Sequence, residues 1–173
     1  GQASVRGKGH LLYLAPLKSV CINLTLGRCQ LTDRPFLFLA TNGRGAMMRA
    51  ATYARRIRSR YDALLAANPD ENTPVDRWIM LTRCRIWLVY QGYSQAVRTD
   101  CLQRFSYDYA GRACWEYQMP TGLGRHIRFS VKMQIMAGQN RVRLHFTRHS
   151  ADSGDELEDA HRVRKILRPD LEN

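Results

Sequence analysis

The chain has 173 residues, 45% of them hydrophobic, which suits one domain with a real core. Its net charge is +12, from 27 basic and 15 acidic residues, and no run of about 18 apolar residues is present that could span a bilayer as a helix. A soluble protein with no membrane partner is therefore expected.

The charge is uneven. Residues 1–60 carry 11 basic and 1 acidic residue, residues 61–120 carry 6 and 7, and residues 121–173 carry 10 and 7. Arg outnumbers Lys 23 to 4, and Arg is the side chain for bidentate hydrogen bonding to phosphate or carboxylate. This density keeps a nucleic-acid partner open, beside a solvated surface or an Arg-lined contact with another domain. Five cysteines (Cys21, Cys29, Cys84, Cys101 and Cys114) show neither C-x-x-C spacing nor His in ligand register. Reduced thiols in a cytoplasmic protein are expected, with no metal and no disulfide framework.

In chain order, "GQASVRGKG" reads as a flexible arm and "CINLTLGRCQL" as a strand running to Thr32-Asp33-Arg34-Pro35. Phe36-Leu37-Phe38-Leu39 is a second apolar run, and it enters Thr41-Asn42-Gly43-Arg44-Gly45. From Met47 to Ala67 the composition is helical, without Gly or Pro, although the periodicity is poor. "NPDENTPVD" reads as a surface loop. "DRWIMLTRCRIWLVYQGYSQAV" and "CLQRFSYDYAGRACWEYQMP" supply short β-rich runs broken at Gln91-Gly92 and Ala110-Gly111.

The clearest signal lies between Arg125 and His149. Ile127, Phe129, Val131, Met133 and Ile135 alternate with His126, Arg128, Ser130, Lys132 and Gln134; Ala137-Gly138-Gln139-Asn140 forms a turn; Val142, Leu144 and Phe146 resume the alternation. Strict period two predicts an antiparallel hairpin with one buried and one wet face. Arg128, Lys132, Arg141 and Arg143 make the wet face basic. At the end, Ser153 and Glu156 have capping-box spacing, acids precede bases and Pro169 follows, so a short helix is predicted over 154–166. Together the elements predict a mainly β, antiparallel sandwich of seven or eight strands, formed by one domain over 1–173.

The motifs exclude several chemistries. Gly43-Arg44-Gly45 lacks the Lys and hydroxyl of a Walker loop, and Met48 stands where a dinucleotide fingerprint needs Gly. No carboxylate spacing marks a glycosidase pair, no G-x-S-x-G elbow occurs, and the five His lack metal-ligand spacing, so neither a catalytic residue nor a cofactor is assigned. Phe129 and Phe146 sit opposite the Arg residues of their hairpin, which argues against a nucleic-acid stacking platform.

"FLATNGRGAMM…RIRSRYDALLAAN" resembles the start of the N-terminal domain of bacterial and archaeal glycogen debranching enzymes of the amylo-α-1,6-glucosidase type. Thr41, Asn42, Gly43 and Gly45 match its Thr-Asn-Gly-x-Gly-Gly-aromatic motif, and Arg60, Tyr61, Leu64 and Leu65 match a following Arg-Tyr-His-Gly-Leu-Leu stretch. "VDRWIMLTRC", "ACWEYQM", the long hairpin and "LRPDLEN" continue the order, so the resemblance covers about residues 36–173. Ala46 and Met47 replace the second Gly and the aromatic, and Asp62 and Ala63 replace His and Gly. The resemblance implies a supersandwich-like β-sandwich, with Arg60 to Ala66 a strand rather than the helix that composition favours. It also implies a truncated N-terminal domain, with a catalytic (α/α)6 barrel expected downstream that holds the hydrolytic carboxylates. The expected role is to pack on that barrel and shape an α-glucan cleft of glycogen or maltooligosaccharide, the fragment alone being inactive. Asn42, Arg44, Arg60 and Tyr61 are the candidate sugar contacts, beside an alternative in which Asn42-Gly43 only forms a turn. An Arg-rich nucleic-acid-binding or protein-interaction domain is the other reading.

Overall fold

A computed structural model describes residues 3–7, 10–14, 23–33, 36–51, 62–70, 77–108 and 110–171. A hairpin of β1 (Ala3–Gly7) and β2 (His10–Leu14) forms a two-stranded sheet of its own. Then come β3 (Leu24–Gly27), the six-residue helix α1 (Arg28–Asp33), β4 (Leu37–Thr41), β5 (Met47–Ala51), β6 (Ala63–Ala67) and β7 (Trp78–Tyr90). They are followed by β8 (Tyr93–Ala96), β9 (Leu102–Tyr107), β10 (Arg112–Pro120), β11 (His126–Ile135), β12 (Val142–Arg148) and β13 (Arg164–Leu171).

The strands build two antiparallel sheets. One has five strands in the order β12-β11-β10-β9-β3; the other has six, in the order β13-β7-β6-β5-β4, with β8 pairing the end of β7. The two sheets face one another as a sandwich, as the alternating patterns require. In β4 only Phe38 and Ala40 are buried, and in β10 Ala113, Trp115, Tyr117 and Met119 are. Phe38 crosses the gap between the sheets. Its ring meets Tyr107 edge-on at 5.0 Å, Trp115 at 6.3 Å and Phe105 at 6.5 Å, and Phe105 lies 5.0 Å from Trp115. Such aromatic pairs add about 0.5–1.5 kcal/mol each beyond the area they bury.

The hairpin read from period two is β11 and β12, in a register that sets Lys132 opposite His145 and Gln134 opposite Arg143. The break at Gln91-Gly92 is a two-residue turn with both residues left-handed (φ 47° and 83°), the geometry that matches strand twist. Gly111, at the other predicted break, also has positive φ (72°).

Four expectations are corrected. Residues 154–166 contain no helix; they form a loop followed by the start of β13, because the acids of 152–158 pair with bases on β11 and Leu157 is buried in the core. Pro169 does not stop a helix but lies in β13, an edge strand, where a missing N–H is tolerated. The helical composition of 47–67 is overridden within β5 and β6, whose Met48, Ala63, Ala66 and Ala67 are almost wholly buried. Ala3–Gly7, read as part of a flexible arm, is a strand, and the run from Cys21 to Leu31 holds both β3 and most of α1. No helix among the described residues is long and apolar enough to cross a membrane.

Candidate functional site

The loop between β4 and β5 is keyed by Asn42, which is only 4% exposed. An amide side chain offers two acceptor and two donor positions, and here all four are used. Its Oδ1 accepts from the backbone N–H groups of Arg44 (2.8 Å) and Ala46 (3.0 Å), and its Nδ2 donates to Gln139 O (3.0 Å) and Asn140 Oδ1 (3.2 Å). The main chain adds Asn42 N to Ala46 O (3.1 Å) and Gly138 N to Asn42 O (2.8 Å). Asn140 Nδ2 in turn donates to Asn68 O at 3.1 Å. The Asn42 loop, the end of β6 and the β11–β12 turn are thus one corner tying the two sheets together. Gly45 is required twice over: its φ is +93°, and a Cβ there would sit 2.8 Å from Asn68 Nδ2.

This corner answers what Thr-Asn-Gly-Arg-Gly is for. The turn-forming alternative for Asn42 holds, since its amide has no hydrogen-bonding position left for a ligand. Arg44 is the exposed side chain of the loop, with Nη1 3.5 Å from Gly138 O. Arg60 and Tyr61 lie outside the described residues. Asn68 and Asn140, which complete the corner, were read only as parts of a loop and a turn; amide pairs distant in sequence leave no local signal.

The outer face of the five-stranded sheet carries a groove of about 730 Å³ of mixed lining, with Leu24, Tyr107 and Met133 beside Arg112, Glu116, Lys132, Gln134, Arg143 and His145. Much of its charge is paired. Arg104 Nη2 reaches both oxygens of Glu116 at 2.7 Å, and Arg112 Nε lies 2.6 Å from Asp108 Oδ2. Burial raises the Asp108 carboxyl, but hydrogen bonds from the Arg112 backbone and guanidinium outweigh it and hold the group below its ordinary value. Burial, then Glu116, pushes the Cys114 thiol up, which disfavours its thiolate form.

Arg128 does not belong to an open basic face. Its Nε lies 2.5 Å from Glu156 Oε1 and its Nη2 2.8 Å from Asp152 Oδ2, and it donates to Ser150 O at 2.7 Å. Arg148 donates to the carbonyls of Leu157 (2.8 Å), Glu158 (2.8 Å) and His161 (2.5 Å). Backbone bonds from His126 N to Asp155 O (3.0 Å) and from Leu157 N to His126 O (2.8 Å) complete a strap over 150–161. The Asp152 N–H first, and Arg128 after it, hold the Glu156 carboxyl below its ordinary value. On the hairpin this leaves Lys132, Arg141 and Arg143 without a side-chain hydrogen bond or ion pair among the described residues.

The outer face of the six-stranded sheet is different. Leu37 and Leu39 point outward from β4 at 58% and 55% exposure, and Trp78 and Leu171 are exposed as well. Among the described residues no group of three or more His, Cys, Asp or Glu side chains is placed to hold a metal ion.

A model of the family described as glycogen debranching enzyme N terminal matches residues 38–172. The chain belongs to that family. The match spans β4 through β13 and so includes both large sheets except β3, together with the Asn42 corner and the strap. This debranching-enzyme N-terminal domain is matched by no curated protein and by no solved structure.

Proposed function

We propose that this domain is the accessory N-terminal β-sandwich of a glycogen debranching enzyme-like protein. It packs on a catalytic (α/α)6 barrel of the same polypeptide, helps shape an α-glucan cleft and hydrolyses no glycosidic bond alone. The whole protein is a glycoside hydrolase of the amylo-α-1,6-glucosidase type, working in the cytoplasm, a setting consistent with the free thiols of Cys29, Cys84, Cys101 and Cys114.

The family match over 38–172 carries this reading. The distribution of exposed apolar side chains supports a division of surfaces. Of nine large hydrophobic residues exposed among those described, seven lie in strands of the six-stranded sheet, which supports that sheet as the side that packs on the barrel. The Asn42 corner lies between the two sheets and presents Arg44 to a glucan, while Asn42 itself positions the loop. Glycoside hydrolysis needs two carboxyl groups about 5–9.5 Å apart and free to act. On the open polar face Asp108 and Glu116 are instead spent on Arg112 and Arg104.

The test is an NMR titration of the 173-residue chain with a long maltooligosaccharide at two salt concentrations. Shifts at 43–46 and 137–139 that persist at high salt are expected. No response to sugar, together with salt-sensitive binding to oligonucleotides, would overturn the glucan reading in favour of nucleic acid.

A further inference from the structure

Three cations line the groove on the five-stranded sheet, Arg112, Lys132 and Arg143, and of these Arg112 is paired with Asp108. Beyond the groove Arg104 has Glu116, and Arg128 has Glu156 and Asp152. Among the described residues Lys132 and Arg143 make no ion pair, nor does Arg141 one residue outside the ladder. The register puts Lys132 directly opposite His145 and one step diagonally from Arg143. Cross-strand neighbours of this kind stand roughly 5 Å apart when opposite and 7–8 Å when diagonal, and like charges so placed destabilise a sheet. The groove's two carboxylates, Asp108 and Glu116, are already held by Arg112 and Arg104, which leaves room for a counter-ion beside Lys132 and Arg143. The donors fit one ligand chemistry: a planar guanidinium for bidentate contact, an ammonium point charge, an imidazole, and the amide of Gln134 beside them. Tyr107, the one aromatic residue lining the groove, packs edge-on against Phe38 and offers no open stacking face, which fits a phosphate better than a bare sugar ring.

The geometry points to a phosphate-binding site formed by Lys132, Arg143 and His145 on the outer face of the five-stranded sheet. The phosphate is a monoester, either on a free sugar phosphate or on a glucan chain. The site does not depend on the glucan reading, because inorganic phosphate alone is enough to detect it. It also lies on the other side of the sandwich from the apolar face.

The experiment titrates the labelled 173-residue chain with inorganic phosphate, against chloride at matched ionic strength. Saturable shifts at 132–134 and 143–145 are expected, weakened about tenfold or more in K132A/R143A and unchanged in R164Q on the opposite sheet. Phosphate should raise the melting temperature of the native chain but not of the double variant. The variant should melt no lower than the native chain in low salt without phosphate, since relief of repulsion offsets the lost stems. Glucose phosphate binding as well as a phosphorylated maltooligosaccharide would identify the free metabolite as the source; tighter binding of the phosphorylated oligosaccharide would identify the glucan. Equal, non-saturating responses to phosphate and chloride, or full phosphate binding by K132A/R143A, would overturn the site.

Discussion

On the five-stranded sheet the outward positions of β10, β11 and β12 include Arg112, Glu116, Lys132, Gln134, Arg143 and His145, whereas on the six-stranded sheet those of β4 are Leu37, Leu39 and Thr41. Both sheets obey the same pleat, and both send their alternate residues into one core. The outer face of the six-stranded sheet is itself mixed, since Arg83 and Arg85 of β7 pair there with Asp170 of β13, but β4 leaves leucines exposed on it. A polar sheet face is at home in water, and on the proposed reading the exposed leucines belong to the surface that packs on the barrel.

The Asn42 corner and the strap hold the two faces in fixed relation, so breaking them tests the comparison most severely. Asn42→Ala removes four side-chain hydrogen bonds from a buried site and leaves their partners unsatisfied, with an expected loss of about 2–4 kcal/mol in denaturant unfolding. Gly45→Ala forces a Cβ against Asn68 at positive φ and should cost about 1–3 kcal/mol in the same measurement. Acid acts more locally. The folded-state Glu156 carboxyl is held below its ordinary value of 4.5, so its contribution is present above that value and fades as pH falls through the folded one. Protection factors at 150–161, exchange rates corrected for the intrinsic pH dependence, should therefore fall at pH 3 relative to pH 7, and Glu156→Gln should flatten that response. The smallest effect on the chain alone is expected from Leu39→Asp. An exposed change should shift its stability by no more than about 0.5 kcal/mol, yet it should weaken association with the catalytic barrel, measured in the full-length protein.

These same regions differ in how openly the sequence announces them. β11 and β12 were legible residue by residue because one face is buried and the other wet, so hydrophobicity alternates without a break. The Thr-Asn-Gly-Arg-Gly corner was legible as a motif, but its partners Asn68 and Asn140 were not, because that contact is made only by folding. β13 was illegible for a physical reason: an edge strand defended by Arg, Lys and Pro lacks alternation, and its charges resemble the last turn of a helix. The acids before it, which resemble a helix start, are instead the anchors of the strap. β5 and β6 were masked by Ala and Met, residues with helical propensity that here fill buried sheet positions.

The most direct test of the division between faces is hydrogen–deuterium exchange on the chain alone and within the full-length polypeptide. Within the longer polypeptide exchange should slow along β4 and around Trp78 and Leu171, and stay unchanged in β11 and β12. Protection confined to β11 and β12, with β4 unaffected, would contradict that division and make the polar face the one that packs on the barrel.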